Sequence, residues 1–131
     1  MLLVEDNLGD VLLVREAIEE ANVLARLHVV RDGVEAIQWL NSQNDFTKSD
    51  RQQVIILDLN MPRKNGREVL KEIARTPSLA HIPIAVFTTS QSECDICDEF
   101  PSLRSRFFLK QVEFDRTVET VKQIGKFAFS G

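Results

Sequence analysis

Short apolar runs alternate with amphipathic stretches along the chain. The runs at residues 54–57 and 84–87 contain no polar residue, which is typical of β-strands buried on both faces of a parallel sheet. Between the runs, apolar residues recur at helical spacing, as Val14, Ala17 and Ile18 do in the first such stretch. The pattern predicts strands at residues 2–4, 27–30, 54–57, 84–87 and 107–109, and helices at residues 8–21, 34–40, 67–75, 93–100 and 114–128.

Strands that alternate with helices predict an α/β fold. A parallel sheet with helices on both faces buries five such strands, and right-handed crossovers leave few ways to wind it. The length of 131 residues suits a single domain. The polar stretch at residues 41–53, between the second helix and the third strand, is interpreted as a solvated loop.

Composition and charge exclude several classes of function. Sixteen Lys and Arg against 20 Asp and Glu give a net charge of −4, which disfavours nucleic-acid binding. No apolar run reaches the roughly 18 to 20 residues of a membrane span, and the early Glu5 and Asp6 argue against a secretory signal peptide. Cys94 and Cys97 are too close together to staple a fold, which favours a reducing compartment, the cytoplasm. Their C-x-x-C lacks the strand pattern of a redox protein and the further ligands of a zinc site.

Polar side chains that can do chemistry follow four of the predicted strands. Glu5 and Asp6 come after the first strand, Asp58 after the third, Thr88 after the fourth and Lys110 after the fifth. Because the carboxyl ends of parallel strands meet at one edge, we expect these residues to converge there. Carboxylates without histidine or cysteine suit Mg²⁺ or Mn²⁺. A metal ion beside a lysine is the usual arrangement for binding a phosphoryl group during its transfer. A carboxylate can accept that group and become an acyl phosphate.

The same residues resemble the signature of response regulator receiver domains. The matching segments are Leu-Leu-Val-Glu-Asp-Asn at 2–7, Arg-Asp-Gly-Val-Glu-Ala at 31–36, Asp-Leu-Asn-Met-Pro at 58–62 with Gly66, Thr88-Thr89 and Lys110. The segments at 60–70, 82–83 and 87–90 are similar, more narrowly, to the response regulators paired with cyanobacterial phytochromes. The resemblance covers residues 1–131 as one receiver domain with no attached output domain. It implies a flavodoxin-like, doubly wound, five-stranded parallel sheet of order 2-1-3-4-5 with helices on both faces.

The resemblance also implies a role for each residue at that edge. Asp58 is expected to be the phosphoacceptor, and Thr88 and Lys110 are expected to contact the phosphoryl group. Thr88 together with Phe107 is expected to form the conformational switch. The implied ligands of Mg²⁺ or Mn²⁺ are Glu5, Asp6, Asp58 and the backbone carbonyl of Asn60.

Two positions depart from the family pattern. Gln111 stands where a proline, joined by a cis peptide, usually follows the lysine. A cis bond before a residue other than proline costs about 3 kcal/mol, which bears on the reach of Lys110. Phe107 stands where tyrosine is also common, and without a hydroxyl its inward burial is favoured.

The implied function is that of a stand-alone response regulator. Its phosphoryl donor would be a sensor histidine kinase, with a cyanobacterial phytochrome as the candidate, and its output a contact with an unidentified downstream protein. It would not be an enzyme beyond Mg²⁺-dependent self-phosphorylation and autodephosphorylation. Two alternatives stay open. One is a phosphorylation-independent interaction module of receiver fold. The other is a phosphohydrolase of the haloacid-dehalogenase type. That family carries an Asp-x-Asp motif after its first strand, whereas this chain has Asp58 and Asn60 after its third strand.

The end of the chain predicts a homodimer. The fifth strand closes the implied sheet order, so its outer flank is an edge that must be covered or paired. Phe127 and Phe129 stand two residues apart on the last predicted helix and cannot share one of its faces. We expect an interface that includes Phe107 or its neighbours and at least one of these two phenylalanines.

Overall fold

Five strands and five helices alternate in the described part of the protein. The computed structural model describes residues 1–23, 26–42, 54–59, 65–77, 79–80, 82–89, 95–101, 106–110 and 113–129, without the side chains of residues 127–129. The strands are β1 Leu2–Val4, β2 His28–Val30, β3 Ile55–Leu57, β4 Ile84–Thr88 and β5 Phe107–Leu109, and the helices are α1 Leu8–Glu20, α2 Gly33–Ser42, α3 Gly66–Arg75, α4 Ile96–Glu99 and α5 Phe114–Phe129. Within these residues, no helix is long and apolar enough to cross a membrane.

All strand pairs are parallel, and the sheet order is β2-β1-β3-β4-β5. The expected order 2-1-3-4-5 is therefore confirmed. β1 and β3 occupy the middle of the sheet, where every residue is at most 1% exposed. Burial on both faces explains why these strands are uninterrupted apolar runs.

Alternate residues of the strands feed two separate cores. Leu2, Val4, Ile55 and Leu57 pack with residues of α2, α3 and α4 on one face. Leu3 and Ile56 pack with residues of α1 and α5 on the other. The period of two along each strand thus places helices on both faces, as expected.

Side chains of the preceding loops fix where three helices begin. Asn7 caps α1 by accepting a hydrogen bond from the Asp10 backbone N–H at 3.0 Å. Asp32 caps α2 by accepting one from the Glu35 N–H at 2.9 Å. Asn65 and Glu68 form a reciprocal capping box at the start of α3. These caps anchor the helices next to the carboxyl end of the sheet.

Gly66 lets the first turn of α3 lie directly against the end of β3. A Cβ at this position would lie 2.5 Å from the Leu59 Cα and 2.7 Å from the Asp58 carbonyl oxygen. The Gly66 N–H also donates to the Leu59 carbonyl at 3.0 Å. The glycine is therefore required by close approach of backbone to backbone.

Several predicted boundaries shift by a few residues. α2 begins at Gly33 and continues through Ser42, so the start of the predicted loop at 41–53 is helical. Residues 43–53 lie outside the described residues. Within the described residues α4 spans Ile96–Glu99, against the predicted 93–100, of which 93 and 94 are not described, and β4 includes Thr88. These ends depend on caps and tertiary contacts, which apolar periodicity does not encode.

Candidate functional site

Backbone hydrogen bonds continue the sheet past the strand ends and bring the predicted site residues together. The Glu5 N–H donates to the Val30 carbonyl at 3.0 Å, and the Asp58 N–H donates to the Val4 carbonyl at 3.1 Å. The Lys110 N–H donates to the Thr88 carbonyl at 2.7 Å. Glu5, Asp58, Thr88 and Lys110 consequently leave four neighbouring strands at the same edge, as the sequence predicts.

Glu5, Asp6 and Asp58 form a compact acidic cluster. Each offers a carboxylate oxygen, and these three oxygens lie within 4.8 Å of one another. Glu5 and Asp58 are buried, at 2% and 7% exposure, whereas Asp6 is open to solvent. A small set of hard oxygen donors with one side open to water fits Mg²⁺ or Mn²⁺, which retain several water ligands. Asn60, whose carbonyl is the remaining predicted ligand, lies outside the described residues.

The Lys110 ammonium lies among three carboxylates. Its Nζ is 2.5 Å from Glu5 Oε2, 2.9 Å from Asp10 Oδ2 and 3.4 Å from Asp58 Oδ2. It also lies 5.9 Å from the centroid of the Phe87 ring. The lysine therefore reaches the predicted phosphoacceptor, although its two shorter contacts are to other acids.

One cation shared among several acids perturbs both kinds of group. Burial raises the pKa of Glu5 to about 7, and the nearby Asp58 adds to the rise, while the hydrogen bond from Lys110 opposes it. Burial alone would lower the pKa of Lys110, but the hydrogen bonds to Glu5 and Asp10 outweigh it and raise that pKa. The two shifts are compatible because Lys110 gains from three carboxylates, whereas Glu5 loses solvation and is repelled by Asp58. The site therefore keeps Lys110 charged and disfavours ionisation of Glu5.

Thr88 and Phe107, the predicted switch pair, lie on the adjacent strands β4 and β5. Thr88 is the last residue of β4 and is 1% exposed. Phe107 begins β5 opposite Val86 in the sheet register. Its ring is half-buried and packs against the core beneath α2, α3 and α4, so the expected inward packing is met in part.

Sequence reasoning missed Asp10. It is the third residue of α1, and its carboxylate accepts a hydrogen bond from the Lys110 ammonium. The available signal was the short distance in sequence: α1 starts two residues after Asp6, so its first turn must border the site. No strand end points to it, because the residue belongs to a helix.

Other predicted residues lie outside what the structure describes. These are Asn60, Gln111, Cys94 and the side chains of Phe127 and Phe129. Cys97 is buried in α4.

The fold and this site identify the class of protein. The family model of the response regulator receiver domain matches residues 1–122. The chain belongs to this family, which serves two-component signalling.

Particular relatives lie among phytochrome response regulators. Response regulator Rcp1 of Synechocystis sp. is 44% identical over 96 residues, which make up 73% of this chain and 65% of Rcp1, less than two thirds of that relative. The phosphorylated cyanobacterial phytochrome response regulator RcpA superposes with a TM-score of 0.80 at 37% identity, over 98% of this chain and 92% of RcpA. The Mn²⁺-bound form of Rcp1 superposes with a TM-score of 0.77 at 36% identity, over 96% of this chain and 91% of Rcp1.

Proposed function

We propose that the protein is a response regulator whose Asp58 accepts a phosphoryl group from a sensor histidine kinase. The observation that carries the proposal is the position of the Lys110 ammonium, 3.4 Å from Asp58 Oδ2, beside the cluster of Glu5, Asp6 and Asp58. A nucleophilic carboxylate, a candidate metal site and a cation in one place are the parts that phosphoryl transfer to an aspartate requires.

Asp58, Lys110 and Thr88 each have a separate part in the proposed phosphoryl transfer. An Asp58 carboxylate oxygen attacks phosphorus in line with the bond to the donor's imidazole nitrogen. The phosphorus–nitrogen bond breaks, its electron pair stays on the imidazole, which takes up a proton, and an acyl phosphate remains on Asp58. Lys110 offsets charge on the phosphoryl oxygens, and the Thr88 hydroxyl donates to one of them. Hydrolysis later returns the carboxylate and inorganic phosphate.

Mg²⁺ or Mn²⁺ is the cofactor proposed for this site. Glu5, Asp6 and Asp58 are the residues that would hold it, together with the Asn60 carbonyl. When bound, the ion supplies positive charge to the transferring oxygens. The Mn²⁺-bound relative Rcp1 supports the proposal, as does the fit of three carboxylate oxygens within 4.8 Å.

A sensor histidine kinase, and a phytochrome in particular, is the proposed donor because the chain is similar to phytochrome response regulators. A surface beside the site suits a protein donor. Leu8 and Leu12 stand one turn apart at the start of α1 and are 68% and 52% exposed. Exposed leucines on the helix that directly follows the acidic residues Glu5 and Asp6 favour a protein partner over a purely small-molecule one. A cytoplasmic location and output through a contact with a further protein complete the proposal.

Labelling with a small phosphodonor tests the proposal. The wild type, Asp58→Asn and Asp115→Asn are each incubated with Mg²⁺ and acetyl phosphate, and the intact mass of each protein is then measured. We expect one alkali-labile phosphoryl group on the wild type and on Asp115→Asn, which removes an exposed acid on α5. Asp58→Asn should stay unlabelled, because the amide is not a nucleophile. A labelled Asp58→Asn would refute the assignment. An unlabelled wild type would favour the phosphorylation-independent module. The hydrolase alternative is not retained, since Asp58 follows β3 and the chain belongs to the receiver family.

We propose further that the protein forms a homodimer through the flank of β5 and the end of α5. β5 is an edge strand, and all three of its residues, Phe107 included, are half-buried. α5 continues to Phe129, so Phe127 and Phe129 belong to its last turn. Burying a phenylalanine contributes about 1.5 to 3 kcal/mol of transfer free energy, and two-fold symmetry doubles it.

Light scattering decides the assembly state. The mass of the wild type is compared with that of a Phe127→Ala, Phe129→Ala double variant, with and without beryllofluoride, which stands in for the phosphoryl group. A dimer for the wild type and a monomer for the double variant are expected. A wild type that remains monomeric at high concentration in both conditions ends the proposal.

A further inference from the structure

The first turn of α1 holds an acid that the proposed reaction does not use. Asp10 is fixed there because its backbone N–H donates to the capping Asn7 side chain at 3.0 Å. Its carboxylate lies 2.9 Å from the Lys110 ammonium, closer than the 3.4 Å that separates that ammonium from Asp58. Asp10 is also not one of the three described acids that cluster as candidate metal ligands.

The hydrogen-bonding capacity of Lys110 is fully committed. An ammonium group has three N–H donors and no acceptor. In this structure they match three carboxylates, those of Glu5, Asp10 and Asp58. A phosphoryl oxygen on Asp58 is a new and strongly charged acceptor. Once Asp58 carries that group, its own contact with the lysine is replaced, and the carboxylates of Glu5 and Asp10 remain as competing acceptors for the ammonium.

Asp10 is the partner that can be given up. The Glu5 side chain is 1% exposed, so losing its cation would leave a buried carboxylate without compensation. The Asp10 side chain is 30% exposed, so water can replace the lysine there. Asp10 also adds a negative charge beside a site that must receive a phosphoryl group, which opposes that group electrostatically.

We propose that Asp10 is a positioning residue that retains Lys110 on the α1 side of the site and thereby restrains capture of the phosphoryl group. This inference rests on the proposed function of Asp58. It predicts that removing the Asp10 charge strengthens binding of a phosphoryl analogue, although a residue of the site's own lysine network is lost. A merely structural acid would have the opposite effect or none.

Calorimetric titration of the full chain with beryllofluoride in Mg²⁺ provides the first readout. Asp10→Asn should bind about three- to tenfold more tightly than the wild type, because one negative charge is gone and the neutral amide oxygen competes more weakly for the ammonium. Asp10→Ser, which keeps a short polar side chain in the first turn, should behave alike. The matched control is Glu16→Gln, which removes an exposed acid from the same helix and should leave the affinity unchanged.

Nuclear magnetic resonance of the ¹⁵N-labelled lysine side chains provides the second readout. The Lys110 ammonium protons should exchange with water slowly in the wild type and in Glu16→Gln, and faster in Asp10→Asn. The exposed Lys122 serves as the reference for fast exchange. This signal reports on the lysine itself, which general changes in stability would not single out.

Each outcome decides between the two proposals. A wild type that binds beryllofluoride, with Asp10 variants of equal or weaker affinity, overturns the role of Asp10 alone. Tighter binding without faster Lys110 exchange also overturns it, because the effect then bypasses the lysine. A wild-type Lys110 that exchanges as fast as Lys122 overturns it as well. A wild type that does not bind beryllofluoride overturns both this role and the phosphoacceptor function.

Discussion

The two sides of Asp58 are built in different ways. On one side, β1 and β3 are at most 1% exposed at every residue, and Gly66 brings α3 into backbone contact with the end of β3. On the other side, every residue of β5 is half-buried, and α4 spans four residues in the described part of the chain. Exposed ion pairs join α4 to α3, with Arg67 Nη2 at 2.6 Å from Asp95 Oδ1 and Lys71 Nζ at 3.9 Å from Glu99 Oε1.

This difference separates a rigid half of the site from an adjustable one. Close-packed interiors resist small displacements, whereas exposed ion pairs contribute little to stability and short helices open readily. The cluster of Glu5, Asp6 and Asp58 lies on the rigid half, while Thr88 and Phe107 lead into the adjustable half. We expect a charge change at Asp58 to be transmitted toward α4 and β5 and not toward β1.

Gly66→Ala should destabilise the rigid half, with the largest effect of the variants proposed for this comparison. The added Cβ would clash with the backbone of Leu59 and Asp58, neither of which can rotate away. We expect a loss of about 3 kcal/mol or more in the free energy of unfolding, measured by urea denaturation, and loss of labelling by acetyl phosphate. Gly125→Ala is the control, because its Cβ would meet only the Val23 side chain at 3.2 Å. Equal stability for Gly66→Ala and wild type would contradict the close packing at Asp58.

Glu5 should make the stability of the metal-free protein depend on pH. Its pKa is raised from 4.5 to about 7 in the folded state. A raised pKa stabilises the fold fully below about 4.5 and loses that contribution as the pH rises through about 7. In EDTA, the free energy of unfolding should fall by about 2 to 3 kcal/mol from pH 5 to pH 8 relative to Glu5→Gln, which does not titrate. Parallel pH profiles for the two proteins would rule out this role of Glu5.

Asp6→Asn should separate charge repulsion from metal binding. Asp6 is the exposed member of the acidic cluster, so its loss disturbs little packing. In EDTA, the variant should be more stable than the wild type by about 1 kcal/mol, because like charges are fewer. In Mg²⁺ at a hundredfold excess over its Kd, the wild type should gain about 2.7 kcal/mol and the variant much less. Thermal melts in the two buffers give both numbers, and a variant that melts lower in EDTA would contradict the repulsion.

The sequence predicts the rigid half better than the adjustable one, for a physical reason. Parallel strands end at one edge whatever their details, so Glu5 and Asp58 converge once β1 and β3 are assigned. The ion pairs between α4 and α3 are tertiary contacts that the local sequence does not encode, since Arg67 and Asp95 are 28 residues apart. The same reasoning does not find Asp10, because its contact depends on where the first turn of α1 meets the lysine that follows β5.

Arg67→Gln should alter the adjustable half and, of the four variants, should have the smallest effect on stability. The hydrogen bond from Arg67 lowers the pKa of Asp95, so the pair holds at neutral pH and weakens only as Asp95 is protonated in acid. Because both side chains are solvent-accessible, the melting midpoint should hardly move. Amide hydrogen exchange in α4 should nevertheless become faster, since this ion pair connects the start of α4 to α3.

The matched control for this prediction is Arg75→Gln, which removes an exposed cation from the last turn of α3. It should leave the exchange of the α4 amides unchanged, and Asp95→Asn should reproduce the effect of Arg67→Gln. The double variant of Arg67 and Asp95 should show no further acceleration, because the two residues act through one contact. Faster exchange in β1 as well as α4 would mean that the ion pair supports the whole site, and the contrast between its two halves would then be wrong.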